Sequence, residues 1–528
     1  YQSAGELARD IRRYLNGEPI EAKRDSALYV LRKMLSQYRR SVMVAAAVVL
    51  LAAGGLFVGA RYQEELRGSE VRRLEKIAVA DFGRFGEIYS SASAPVKDRA
   101  YERCRELVFS EAFTGRTAGA RMGLMVNPDA FWESIDGGPL WTYGEWLELC
   151  RMDWPDPAHV LGLLRDKAAA KDATDRRKYV AFCLIGQLGG DRRDGLDAQL
   201  KGDLVDLCRK AVNSESQPGV VSAARWAAMR LGETLVYPHK PGAIIVDEVS
   251  GMTFVRVPGC DVFRQGSDPD DPDRHNNEDK PGQGINILPF YLATTEVTVG
   301  QLAVFLKAPA YADLARELAA NLDEHKADEA RIKAYLLDSI TALAESKDVV
   351  KHLCAMMRVP EGPALPQTAA GYISLDLARG YCEWLNGRSK DSKPTREYRL
   401  PEEHEWEYAC RGGNEGRFCF GRDADYAAYF ANCNGDLKSH AIGQRMPNWY
   451  GLSDMHGGLW ELCGSRFPPE LVSDSEHKKQ ELFLKRGGAF YSPAVRCRSA
   501  QRNYTAAGAI DYYTGVRLVL NLKKVAGS

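Results

Sequence analysis

Two stretches set a glutamate beside a tryptophan with glycines close by. Arg399 to Gly413 reads RLPEEHEWEYACRGG, and Tyr450 to Cys463 reads YGLSDMHGGLWELC. In the second, the Asp454 and Glu461 carboxylates and the main-chain carbonyls of Gly457 and Leu459 follow at close spacing. Oxygen donors in such a run can wrap a hard cation of the calcium kind, which accepts loose geometry and mixed carbonyl and carboxylate ligands. The competing use is structural: Asp454 caps a turn and Glu461 pairs with an arginine such as Arg486. Twelve cysteines and nine histidines are scattered through the chain, with no CxxC pair and no HExxH. Neither a zinc site nor an iron facial triad is expected from that pattern. Seventy basic residues offset 71 acidic ones, for a net charge of -1. That balance leaves no electrostatic footprint for nucleic acid.

The elements that must hold these residues can be read from local pattern. Pro401 suits a first helical turn, Glu402 and Glu403 suit its positive end, and Trp406, Ala409 and Cys410 share one face before Gly412 and Gly413 stop the helix. Trp406 and Trp460 read as core residues. Upstream, Ile244 to Val257 alternates apolar and polar as a half-buried strand does, and Pro258-Gly259 turns the chain. Phe290 to Val297 returns to strand pattern and leads into a helix ending near Leu306. Asp268 to Asp279 reads as a solvated acidic loop, and Tyr237 to Gly242, YPHKPG, as a domain boundary. At 528 residues the chain exceeds one compact core, so three or four units are expected.

Together with Arg486-Gly487-Gly488-Ala489-Phe490, Arg498-Ser499-Ala500-Gln501-Arg502 and Gly515-Val516-Arg517, the two stretches resemble the formylglycine-generating enzymes, or sulfatase-modifying factors. Met252 to Ser267, Pro289 to Val299 and Ile373 to Asn386 match that family's opening segments in order, so the resemblance covers about Gly251 to Asn521. It implies an irregular mixed α+β fold related to C-type lectins over residues 241–528, with short antiparallel strands and long loops. Residues 306–367 depart from the family as a long, charged helical insertion, which we expect at the surface.

The resemblance also implies chemistry. These enzymes oxidise a sulfatase cysteine to formylglycine with copper held between two thiolates, and soft sulfur ligands suit Cu(I). Counting forward from Gly487, the two cysteine positions fall on Ser492 and Cys497. Counting back from Arg502, the segment is three residues short and Cys497 falls outside the pair. Either count leaves at most one thiol, and a serine hydroxyl cannot replace a copper thiolate. A frame without the copper and without the oxidase is therefore the expectation. The family's calcium ligands fall on Asp454, Gly457, Leu459 and Glu461. A second calcium site would begin at Asn432 and the Cys433 carbonyl, but Asn434 to Ile442 is too short for it and leaves only Asp436 as a further donor.

Tyr1 to Asp25, YQSAGELARDIRRYLNGEPIEAKRD, resembles the last helix and tail of the C-lobe in membrane-anchored bacterial serine/threonine kinases, and residues 1–37 are assigned to it. The 528 residues hold no glycine-rich loop and no HRD, and the DFG at Asp81-Phe82-Gly83 stands without them, so they cannot transfer phosphate themselves. We expect them to be the C-terminal part of a longer protein. Val42 to Ala60 carries no charge and would span about 28 Å as a helix, so residues 41–61 are expected to cross the cytoplasmic membrane once. The kinase resemblance would set the N-terminus in the cytoplasm and the rest outside. Gly55 and Gly59 form a GxxxG that would let two copies dimerise. Residues 62–236 read as a helical stalk with repeat-like helices. The combined expectation is a sensor module that binds an extracytoplasmic ligand or protein for a kinase. The alternatives are a formylglycine-generating oxidase and a structural surface-attachment protein.

Overall fold

The computed structural model describes residues 4–523 except 17, 22–25, 27, 30–31, 33–38, 81, 111–112, 138–144, 153, 155, 279–281, 283, 321–366, 393, 436–440 and 473–479. Two compact units emerge, one of Tyr1–Ala80 with Glu87–Arg103 and one of Asp81–Gly86 with Cys104–Ser528.

In the first unit, the helix Ala4–Leu15 is tied to the chain beyond it where the Glu21 N–H donates to Asp10 at 2.7 Å. A 42-residue helix follows, Arg39–Ala80, to which Arg103 is linked through Glu75 at 3.1 Å. This helix corrects the membrane expectation. Among the described residues no helix is long and apolar enough to cross a membrane. The apolar run Val42 to Ala60 does not stand alone but continues without a break into a half carrying Glu64, Glu65, Arg67, Glu70, Arg72 and Arg73. The single-pass placement, with a cytoplasmic N-terminus and an extracytoplasmic domain, falls with it.

The second unit opens with helices whose ends are set by local capping. Asp156 accepts from the His159 N–H at 3.0 Å, Thr174 from Arg177 at 3.2 Å and Gln217 from Val220 at 2.8 Å, while Pro157 and Pro218 occupy first turns. Each side chain satisfies one of the donors a helix start leaves free. The helices Asp175–Asp191 and Pro218–Arg230 meet at Gly186, where a Cβ would come within 2.4 Å of the Trp226 ring.

Residues 104–230 are not a free stalk, because they share a compact unit with the mixed domain that follows. The Tyr179 hydroxyl donates to Pro447 O (2.7 Å), Gln217 to Trp449 O (3.0 Å), Ser222 to Gly451 O (3.1 Å) and Trp226 to Gln444 O (3.0 Å). Four side chains thus hold the carbonyls of one loop, Gln444 to Gly451. The helical pattern was legible in sequence, but no periodicity shows which loop a helix will grip.

The mixed domain carries two principal sheets. The strands are β1 (Ile244–Asp247), β2 (Met252–Val257), β3 (Cys260–Phe263), β4 (Ile285–Ile287), β5 (Phe290–Ala293), β6 (Thr395–Arg399), β7 (Ala431–Asn432), β8 (His456–Gly457), β9 (Trp460–Arg466), β10 (Leu482–Arg486), β11 (Arg502–Ala506), β12 (Thr514–Gly515) and β13 (Val519–Lys523). The five-stranded sheet runs β1-β2-β5-β13-β6, all antiparallel, so the last strand of the chain lies between β5 and β6. The four-stranded sheet runs β11-β10-β9-β12, and β3-β4 and β7-β8 form small pairs. One core joins the five-stranded sheet to the helices Val299–Leu306, Pro309–Ala320 and Leu375–Arg388. Tyr311 and Ala315 are buried in that core, so the insertion begins inside the domain and not on its surface. Its remaining residues, 321–366, lie outside the described residues.

Candidate functional site

The helix Glu403–Arg411 faces β9 and β10. Its start is a capping box in which Glu405 accepts from the Glu402 N–H at 2.8 Å, and Gly412, at φ 56°, ends it in the left-handed region that glycine tolerates. From this helix Trp406 donates its indole N–H to Glu461 Oε2 at 2.6 Å, and Glu407 Oε2 accepts from Arg486 at 2.5 Å. Arg517 grips both oxygens of Glu461, at 2.9 and 2.8 Å, and donates to Ala293 O and Ser453 O. Arg502 pairs with Glu403, and Arg498 with Glu278 at 2.7 and 2.9 Å. Burial alone would raise the Glu407 carboxyl, yet Arg411 and Arg486 outweigh it and hold the group below its usual range. Hydrogen-bonded ion pairs of this kind are the geometry in which buried charges are tolerated, although the Arg486 Nε is left without a partner. Trp406 and Trp460 are buried as expected, but Trp406 also orients a carboxylate.

Asp454 is buried at 7 % exposure, sits at φ 60°, and accepts from the Gly443 N–H at 2.5 Å. Its carboxyl is pushed up to about 6, by burial first, against the Gly443 N–H and Arg517, with Glu461 adding to the rise. Sequence reasoning missed Glu296, which lies against the same group. Its Oε1 accepts from the Leu459 N–H at 3.3 Å, while Oε2 is buried without a hydrogen-bond partner. Burial, then Asp454 and Glu461, drive its carboxyl well above the ordinary range. Gly457 ends β8, and Asn432 stands directly opposite it across the β7–β8 pair. Both oxygens of Glu461 are taken by Arg517, which leaves Asp454 and the orphaned Glu296 oxygen as the acidic donors. Among the described residues no three His, Cys, Asp or Glu side chains converge to hold a metal by themselves. A hard cation here would draw on the carbonyls of Gly457 and Leu459 beside Asp454 and Glu296, a donor set whose chemistry fits calcium. Asp436, the further donor named for a second site, lies outside the described residues.

On the other side of β8 the groups are sulfur and imidazole. Ser492 turns its Oγ back to accept from the Ala489 N–H at 3.2 Å, so its hydroxyl serves the turn. Cys497 is 0 % exposed, its thiol wedged against Gly488, where a Cβ would come within 2.6 Å of the sulfur. The His456 Nδ1–H donates to Cys497 O at 2.7 Å while Nε2 accepts from the Cys419 N–H at 3.1 Å. That pair of bonds sets the neutral tautomer, and burial takes the ring down to about 4.

Outside the two family positions, a further thiol, Cys433 just after β7, interacts with Cys497. The bond from Cys497 lowers the Cys433 thiol against the opposing effect of burial, and Arg445 helps. Cys497 is raised, by that contact first and then by burial. Counting along the segment after Gly487 does not reach Cys433, which lies on a distant part of the chain. Next to it, Tyr491 and Tyr512 are 43 % and 48 % exposed, and Tyr491 packs edge-on to Tyr513 with centroids 5.3 Å apart. The described non-glycine residues at positive φ are Tyr372, Asn434 and Asp454. Strain therefore gathers around this region, as it does at functional sites.

Comparison with known proteins gives one family model, the sulfatase-modifying factor enzyme 1-like domain, matching residues 244–522. The formylglycine-generating enzyme of Streptomyces coelicolor is 26 % identical over 245 residues, 42 % of this chain and 71 % of that enzyme. The inactive C-alpha-formylglycine-generating enzyme 2 of Bos taurus is 27 % identical over 237 residues, covering 41 % and 71 %. The serine/threonine-protein kinase pkn1 of Chlamydia pneumoniae is 28 % identical over 156 residues, covering 28 % of this chain and 23 % of that kinase.

Proposed function

The chain belongs to the sulfatase-modifying factor enzyme 1-like family, and from that premise we propose that residues 244–522 are a ligand- or partner-binding module that serves a serine/threonine kinase rather than an oxidase. The observation that carries this is at Ser492: a hydroxyl stands at a family thiolate position and is spent on the Ala489 N–H, while Cys497 is shut off from solvent. A copper centre that must admit oxygen and a substrate cysteine needs both an open face and two sulfurs. The exposed Tyr491 and Tyr512 beside the buried frame suit a module that presents a rigid surface to a partner. Similarity to a Chlamydia kinase supports the link to phosphotransfer. Two measurements test the reading. The full chain, supplied with Cu(I), oxygen and a sulfatase-derived cysteine peptide, is expected to yield no aldehyde. Autophosphorylation of a parent kinase is expected to change when residues 244–522 are deleted; an unchanged rate and an unchanged response to added cell extract sink the proposal.

The oxidase is kept as a second reading because of Cys433, whose thiol brings a second sulfur to Cys497. Soft paired thiols are what Cu(I) selects. On this reading aldehyde forms and Cys433→Ser abolishes it.

Calcium is the further part of the proposal. Bound at Asp454, it would draw on Glu296 and the carbonyls of Gly457 and Leu459, with Glu461 held beside it by Arg517. Thermal unfolding of the wild type is expected to shift upward with Ca2+ and to return with a chelator, and Asp454→Ala to remove that dependence. Identical melting with and without chelator ends the calcium assignment.

A further inference from the structure

A cleft of about 340 Å³ opens beside the C-terminal end of the helix Glu403–Arg411, between the loop after β3 and the turn that follows the helix. Four arginines and four carboxylates are among its lining residues. Neither the surface at Tyr491 and Tyr512 nor the calcium site draws on any of them.

The inner wall is built of guanidinium groups held at several points. Arg411 is 8 % exposed. Its Nε and Nη2 donate to Glu407 at 3.0 and 2.7 Å, Nη2 also to Gly266 O at 2.7 Å, and Nη1 to Gly416 O at 2.9 Å. A guanidinium carries five N–H donors, so one on Nη1 is left uncommitted. Arg417 spends Nη2 on Asp273 and sets Nε 3.1 Å from Asp271, while its Nη1 makes no hydrogen bond among the described residues. The turn that carries Arg417 is fixed as well: the Phe418 N–H donates to Gly421 O at 2.9 Å and the Gly421 N–H to Phe418 O at 3.1 Å, and Arg417 O accepts from the Ser499 N–H at 2.9 Å. Donors held this way lose little freedom when an acceptor arrives.

The rim has the opposite chemistry. Asp270 and Glu415 are exposed and form no ion pair among the described residues, and Asp268 beside them accepts from the Asp270 N–H at 3.0 Å. A simple anion would have to pass these carboxylates to reach arginines that already have their own: Glu407 for Arg411, Asp271 and Asp273 for Arg417, and Glu278 for Arg498. A simple cation would satisfy the rim and leave the inner N–H groups unmet. The lining calls for a ligand with both charges.

We propose that this cleft binds a free α-amino acid, with its carboxylate on the uncommitted N–H groups of Arg411 and Arg417 and its ammonium on Asp270 and Glu415. Such a ligand carries both charges on one carbon, which suits a lining whose arginines and carboxylates are equal in number and divided between wall and rim. The volume is that of a small-molecule site and leaves room for a side chain. The inference concerns a cleft of its own and does not rest on the link to a kinase.

The test is titration calorimetry on the full chain, kept with a chelator, using each proteinogenic L-amino acid in turn. At least one is expected to bind with a Kd of about 1 mM or tighter. Its N-acetyl and amide derivatives each lack one of the two charges, and both are expected to bind at least about tenfold more weakly. The rim variant Asp270→Asn with Glu415→Gln is expected to weaken that amino acid at least about tenfold, and so, separately, is Arg417→Met. Because Arg417→Met also cuts the tie to Asp273, the rim variant keeps the test readable: its two side chains hold nothing in place, and it is expected to melt as the wild type does. No binding by any free amino acid, equal affinity for either blocked derivative, equal affinity for inorganic phosphate, or full affinity in the rim variant overturns the proposal. These results are separate from the aldehyde, kinase and chelator-melting measurements, so failure here is distinguishable from failure of the proposed function.

Discussion

On the Glu296 side of β8 and β9 the polar groups are charges, and on the Cys433 side they are neutral groups in contact. Arg517 reaches Glu461, Ser453 O and Ala293 O at once, so one guanidinium joins β9, the turn before β8 and β5. On the other side His456 bridges Cys497 and Cys419 without a net charge. The first side fixes the fold through forked pairs whose loss would strand ions in the interior, and the second holds its sulfur and imidazole groups at little electrostatic cost. A family frame can therefore persist while its sulfur chemistry drifts, because the two are held by different residues.

The sharpest way to break this contrast is Arg517→Ala. Removing the guanidinium leaves Glu461 uncompensated beside Glu296 and Asp454, and a loss of about 3–5 kcal/mol in denaturant unfolding is expected. A loss below about 1 kcal/mol would mean that these carboxylates are protonated and that the charged side is not a frame at all.

The next effect is pH dependence in the presence of chelator. The Asp454 carboxyl sits at about 6 in the folded protein against 3.8 as its ordinary value. A raised carboxyl favours the folded state while protonated, so its contribution is complete below pH 3.8 and is lost as pH rises toward 6. The difference amounts to roughly 3 kcal/mol at most. Stability is expected to fall across that window, and Asp454→Asn to flatten the slope. An unchanged slope in the variant places the titration elsewhere.

On the sulfur side, Gly488→Ala probes packing alone. Gly488 sits at φ 80° and a Cβ there meets the Cys497 sulfur, so a loss of about 2 kcal/mol in denaturant unfolding is expected. A variant as stable as the wild type would show the pocket around the Cys497 thiol to be loose.

The smallest effect concerns the helical region's grip on the mixed domain. Trp226→Phe keeps the ring against Gly186 but loses the N–H to Gln444 O, which should cost about 1 kcal/mol. No measurable change would return residues 104–230 to the role of a detached spacer.

Much of the frame could be read without coordinates. The Glu403–Arg411 helix follows from its acidic first turn and Gly412, although Pro401, expected in that turn, lies ahead of the Glu402 cap, and the β-strands near 244–257 and 290–293 follow from alternation. Glu461 and Arg517 were both legible as parts of family motifs, though their partnership was not; pairing with Arg486 had been the structural alternative. The insertion looked superficial because its composition is charged, yet Tyr311 reaches the core. Glu296 carried no signal beyond belonging to a strand-like motif, and its orphaned oxygen exists only because Leu459 and Asp454 come to meet it.

What the order of residues settled by itself is local: periodicity, glycine stops and an ordered set of motifs name the family and where its strands and helices begin, since each depends on neighbours a few positions apart. Which charge meets which, and which sulfur meets Cys497, was decided by strand crossing. β13 enters between β5 and β6 and carries Arg517 to Glu461, and β7 pairs with β8 and brings Cys433 alongside Cys497. Such contacts arise from the burial of distant segments against one another, and spacing along the chain holds no record of them.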